Sequence, residues 1–144
     1  EQPFTMADPG LSLAVDELTG FLTRQSLARL MKSERFRQAH PDLALIKVEL
    51  SRFELMGIGE GPERADLVVL RMGRRLVRLF GNALAFARMG EGRFGMLLVP
   101  TPDLASDIRR LLEFLQRPMA IEGEIIVVHP HIGVALLEDV DKSG

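Results

Sequence analysis

The side chains able to do chemistry cluster in a few places along this chain. Lys47, Glu49 and Ser51 alternate with apolar residues, so an extended segment presents them side by side on one face. The glycine-bracketed run Gly90-Glu91-Gly92-Arg93-Phe94 holds one cation, Arg93. That guanidinium suits a phosphate, or it decorates a solvent-exposed turn; the turn reading is favoured because nothing beside it supports an anion. His129 and His131 would share one strand face as a possible zinc pair, but a zinc site needs further ligands. Arg71, Arg74, Arg75 and Arg78 recur at i, i+3, i+4 and i+7. Such a stripe fits an acidic partner or phosphates, although the wet side of an amphipathic helix is its commoner meaning. There is no cysteine, which removes disulfides, thiolate catalysis and cysteine zinc sites and fits a reducing compartment.

The elements that must carry these residues follow from period and punctuation. Residues 16–22 form a turn into a helix with Thr23 as N-cap and Leu27, Leu30 and Met31 on its apolar side. His40-Pro41-Asp42 stops that helix. Residues 43–50 read as a strand with Ile46, Val48 and Leu50 facing inward. Gly57, Gly59, Gly61 and Pro62 make a loop. A helix spans about 63–80, buried along Val69, Met72, Leu76 and Phe80, with the arginine stripe opposite. Strands at 84–89 and 94–99 form a tight hairpin through the glycine run. Thr101-Pro102-Asp103 starts the next helix, whose stripe is Leu104, Ile108, Leu111, Leu112 and Leu115 and which Pro118 closes. Residues 125–128 and 131–137 read as two last strands. Met31, Met72, Met89 and Met96 are core filler. The resulting fold class is α+β, a βαββαβ split arrangement with helices flanking an antiparallel-rich five-stranded sheet.

The composition agrees with one globular domain: 144 residues, 47% hydrophobic and 26% charged, net charge −2. So small a net charge supplies no general attraction to nucleic acid or membrane. No apolar run reaches the ~20 residues of a spanning helix. The chain opens Glu-Gln-Pro without an initiator methionine or signal peptide. We expect a piece of a longer protein, with residues 1–15 a linker remnant and 16–144 a single domain.

Several segments in this order resemble one family. DELTGFLTR at 16–24 is similar to an Asp-x-Leu-Thr-Gly-Leu-x-Asn-Arg opening, VELSRFE at 48–54 to a strand bearing Asp-x-Asp-x-Phe-Lys, ARMGEGRFGMLL at 87–98 to an Ala-Arg-x-Gly-Gly-Asp/Glu-Glu-Phe hairpin, and HIGVA at 131–135 to Ser-Ile-Gly-Ile-Ala. Together they resemble the GGDEF family, the diguanylate cyclase domains of bacterial signalling, over residues 16 to 137. The resemblance implies a nucleotidyl cyclase palm. In active members two facing domains each hold one GTP, and the 3′-hydroxyl of each attacks the α-phosphate of the other with two divalent metals. The cations are held by carboxylates of the first strand and the hairpin.

Mapped onto that pattern, the chain departs at the metal site. Glu49 stands for the first strand carboxylate and Ser51 for the second. In the hairpin, Gly92 stands for the acid at the third position and Arg93 for the metal-binding glutamate; Glu91 is an acid out of place. Lys47 is available to pair with Glu49 and opposes a cation. Of the guanine contacts, Gly57 replaces an asparagine and only Asp66 survives. Gly81 and Leu84 occupy the positions of the family's Arg-x-x-Asp product site, and the family's last helix would lie beyond residue 137. The resemblance thus implies no catalytic residue at Gly90, Glu91, Gly92, Arg93 and Phe94, no metal beyond a residual ligand at Glu49, and Asp66, Glu49 and Arg93 as weak nucleotide contacts. It implies no cofactor, with Mg²⁺ only alongside residual nucleotide binding.

The function expected is a catalytically inactive regulatory domain of cyclic di-GMP signalling in the cytoplasm. Its partners would be a linked EAL or second GGDEF domain, a second copy of itself, or GTP, and not nucleic acid. The alternatives are a weak cyclase built on Glu49 and Glu91, and a GTP-binding sensor.

Overall fold

The protein, here a computed structural model, is described over residues 13–51 and 62–137. A clasped turn opens it. The Asp16 carboxylate accepts from the Thr19 N–H at 2.9 Å and the Thr19 hydroxyl at 2.8 Å, and the Gly20 N–H donates to the Asp16 carbonyl at 2.8 Å. The turn folds Val15 back onto Leu22 and releases the chain into β1 (Leu22–Thr23), a strand the sequence pattern does not disclose. The expected linker remnant, apart from residues 13–15, lies outside the described residues. Ala14 is tied in: its N–H donates to the Ser26 hydroxyl at 2.7 Å.

Thr23 caps α1 (Arg24–Lys32), accepting from the Ser26 N–H as expected. The single helix expected to run down to His40 is instead two. Ser33 ends α1 and caps α2 (Glu34–Ala39), its hydroxyl accepting from the Phe36 N–H at 3.2 Å. A serine hydroxyl competes for backbone N–H groups and so favours a helix start over a helix interior.

Then follow β2 (Ala44–Leu50), α3 (Pro62–Leu79), β3 (Ala85–Gly90), β4 (Arg93–Leu98), α4 (Leu104–Leu115), β5 (Met119–Ile121), β6 (Glu124–Ile126) and β7 (Pro130–Leu136). The expected glycine loop at Gly57, Gly59 and Gly61 lies outside the described residues. Thr101 does not cap α4. Its hydroxyl donates to the Asp107 carboxylate at 2.9 Å, and its carbonyl takes the Leu104 N–H at 3.2 Å. Pro102 and Asp103 therefore form a turn, and the helix begins at Leu104.

The sheet order is β1-β3-β4-β2-β7, with β1 parallel to β3 and the other pairings antiparallel. The expected five-stranded α+β architecture is present, but its fifth strand is β1. The segment expected as a strand at 125–128 instead pairs, as β6, with β5 in a separate hairpin. Its two-residue turn is Glu122-Gly123, both at positive φ (50° and 82°), the backbone that suits tight hairpins.

Alternation along β2 divides the protein into two cores. Ala44, Ile46, Val48 and Leu50 join Phe94, Met96 and Leu98 against Val68, Val69, Met72 and Leu76 of α3 and Leu111 and Leu115 of α4. Leu43 and Leu45 turn the other way and join Ala85, Ala87 and Leu97 under Leu27, Leu30 and Phe36. On this second side the apolar packing of β2 ends at Leu45. Lys47 and Glu49, next along the same face, stand exposed. No helix among the described residues is long and apolar enough to cross a membrane.

Candidate functional site

The uncovered part of that second face is an open cavity of about 570 Å³ lined by Arg24, Lys47, Glu49, Met89, Arg93 and His131, among others. The register explains the set. Glu49 of β2 lies opposite Arg93 of β4 on one side and His131 of β7 on the other. Lys47 lies opposite Gly95 and Gly133, so its neighbours present no side chain and the floor stays open. Leu27 of α1 approaches Gly95 closely: a Cβ there would sit 3.3 Å from the Leu27 Cδ2 and 3.2 Å from the Met89 Sδ. The ladder shifts register between Arg88 and Gly90. Such an irregularity re-aims side chains at a strand end, and Met89 at this point lines the cavity.

The hairpin turn is the two residues Glu91 and Gly92. Gly92 has φ +67°, a conformation open to glycine at little cost. Its carbonyl accepts the Leu50 N–H at 2.8 Å, which pins the turn to the end of β2. Glu91 points outward and exposed, and Phe94 is buried.

Electrostatically the cavity is cationic. Arg24, Lys47 and Arg93 line it, and Glu49 is its acid among the described residues. The Arg93 Nε lies 3.2 Å from the Glu49 carboxylate. The partner of Glu49 is thus the cross-strand arginine, not the Lys47 anticipated from spacing along β2, because residues directly opposite in a ladder stand closer than i and i+2. Both side chains are over half exposed, 59% and 56%, so the pair is worth little in stability while occupying an oxygen of Glu49. Among the described residues no three His, Asp or Glu side chains converge as for a metal ion. His131 lines the cavity, whereas His129 precedes β7 and serves through its carbonyl, which accepts the Ser51 N–H at 3.1 Å.

The structure brings Glu49 and Arg93 together and leaves Asp66 apart, exposed near the start of α3 and outside the cavity lining. Arg24 and Met89 are cavity residues that spacing alone did not single out, and His131 joins the cavity without His129; their signal is the packing of elements far apart in sequence. A second undetected link is Asp16 with Arg88, 3.3 Å apart and both largely buried. It clasps the opening motif to the hairpin strand. Burial by itself would raise the Asp16 pKa, but the Thr19 hydroxyl and N–H and the nearby Arg88 charge outweigh it, and the carboxyl is held below its ordinary value.

The arginine stripe is only half solvent-facing. Arg75 reaches the end of α4, where its guanidinium donates to the carbonyls of Phe114, Leu115, Arg117 and Pro118 at 3.3, 3.2, 2.7 and 3.2 Å. Arg71 donates to the Ala120 carbonyl at 3.3 Å. The last turn of α4 has no basic residue of its own, and Arg75 supplies the cation that free carbonyls at a helix C-terminus favour. Arg74 and Arg78 remain exposed.

Comparison with known proteins matches residues 13–143 to the family described as diguanylate cyclase, GGDEF domain. The chain belongs to the GGDEF family. A curated relative, an uncharacterized signaling protein of Caulobacter vibrioides, is 27% identical over 134 residues, which is 89% of this chain and 17% of that protein. The GGDEF domain thus spans about a sixth of the relative's length. Among solved structures, a sensory box/GGDEF family protein from Caulobacter crescentus is 28% identical with TM-score 0.71, covering 87% of this chain and 84% of that one. A diguanylate cyclase/phosphodiesterase from Caldicellulosiruptor saccharolyticus is 25% identical with TM-score 0.77, covering 88% and 77%.

Proposed function

We propose that this GGDEF domain acts in cyclic di-GMP signalling as a regulatory unit without cyclase activity of its own. The observation that carries the reading is the Glu49–Arg93 ion pair in the cavity. Two hard divalent cations need several oxygen donors, and these residues do not fit them. Among the described residues one acid lines the cavity, its oxygen is engaged by a guanidinium, and Lys47 and Arg24 add repulsion. GEGRF in place of the family's hairpin pattern supports the same conclusion. Incubating the chain with GTP and Mg²⁺ or Mn²⁺ and measuring cyclic di-GMP tests it. We expect no product above background; clear turnover overturns the proposal.

A second reading rests on the cationic lining. Arg24, Lys47, Arg93 and His131 form a cavity suited to a phosphate group without a metal, which is a sensor's requirement. Calorimetry with GTP in excess chelator distinguishes the two, since a sensor retains its binding heat. The regulated partner we propose is a linked EAL-type domain or another GGDEF domain in the cytoplasm, and a relative named for both a cyclase and a phosphodiesterase supports this.

A further inference from the structure

The outer face of α3 carries apolar and cationic side chains together. Leu67, Leu70 and Val77 lie on it, with Leu67 38% and Val77 42% exposed. Arg74 and Arg78 stand among them, exposed and without a carboxylate partner among the described residues. The face is hollowed. One depression of about 430 Å³ runs between Phe21 and the helix, and a smaller one of about 120 Å³ lies toward the β5–β6 hairpin; Leu70 and Arg74 line both. Arg78 also borders a third, of about 470 Å³, shared with Arg110 and Glu113 of α4 and with Arg117 just beyond it. The acids beside this surface are Glu122, which holds Arg64 at 3.7 Å, Glu113 in the third depression, and exposed Asp66 one turn before Leu70, so cations still outnumber acids along Arg71, Arg74, Arg78, Arg110 and Arg117.

We propose that this surface docks an acidic amphipathic helix of a partner protein, with apolar residues in the hollows beside Leu70 and carboxylates against Arg74 and Arg78. The charge chooses the occupant. A second copy packed across the stretch from Arg74 to Arg78 would set these cations against themselves, which is repulsive. A lipid surface favours protruding apolar residues flanked by cations, whereas here the apolar groups line concavities that receive side chains, as in helix-in-groove recognition. The surface lies on α3, on the other side of the sheet from the Glu49–Arg93 cavity, so it is independent of what that cavity binds.

The test uses the 144-residue chain and a helical peptide with leucines on one face and glutamates along both flanks, followed by fluorescence anisotropy. A lysine-flanked peptide of the same leucine pattern is the control. We expect the glutamate peptide to bind and to weaken with salt, and Arg74→Glu/Arg78→Glu to lose about tenfold or more in affinity while gaining the lysine peptide. Leu67→Ser/Val77→Ser should weaken the glutamate peptide too. Circular dichroism checks each variant, with Arg74→Gln/Arg78→Gln replacing the reversal if it unfolds. Equal binding of both peptides, no effect of the arginine changes, or no effect of the apolar changes overturns the proposal. Binding of phosphatidylserine vesicles but not of the glutamate peptide also overturns it and makes the face a membrane contact.

Discussion

The two sides of the sheet use the same residue type to opposite ends. On the α3–α4 side, Arg75 is partly buried and spends its guanidinium on four carbonyls at the end of α4. On the open side, Arg93 is more than half exposed and spends its guanidinium on one carboxylate. A cation that is partly desolvated and multiply bonded holds structure together. A cation in water, opposite a single acid, contributes little to folding and mainly sets what else can approach. The difference separates residues kept for the scaffold from residues that define the site, and substitutions can probe it.

The largest effect should come where the two sides meet. Phe94 is buried in the α3–α4 core next to exposed Arg93, and Phe94→Ala should cost ~3–5 kcal/mol by urea unfolding. Arg75→Met, which keeps the aliphatic stem but orphans the α4 carbonyls, should cost ~1–3 kcal/mol in the same measurement. Asp16→Asn sharpens the comparison through pH. Because the folded-state pKa of Asp16 is depressed, its stabilisation is fully present above the unfolded aspartate pKa of about 3.9 and is lost as pH falls through the lower folded value. The thermal midpoint of the parent chain should therefore drop on acidification below that value by more than that of Asp16→Asn. The smallest effect belongs to Arg93→Ala, expected within ~0.5 kcal/mol of the parent. A cost above ~2 kcal/mol there would erase the contrast between the two sides.

Much of the fold was legible because its signals are local. Thr23 caps where a hydroxyl precedes an apolar period, and the β2 alternation assigns Ile46 and Lys47 to opposite faces. What escaped depends on partners distant in sequence. A two-residue strand such as β1 has no period to detect; it exists because the Asp16 turn lays Leu22 beside Ala87. The division of the arginine stripe into Arg75 and Arg71 facing carbonyls and Arg74 and Arg78 facing water depends on where α4 ends. At the site, motif positions located Glu49 and Arg93, but only the β2–β4 register shows that they bond to each other rather than Glu49 to Lys47.

Gly92 carries a consequence for which residues this hairpin turn accepts. Its φ of +67° costs glycine almost nothing and costs a side-chain-bearing residue about 1 kcal/mol or more. A glutamate placed there would carry that strain at once. Beside it, Arg93 holds Glu49 and Ser51 carries no charge. A glutamate at this turn is therefore expected to weaken folding on its own account, whatever it does to binding in the cavity.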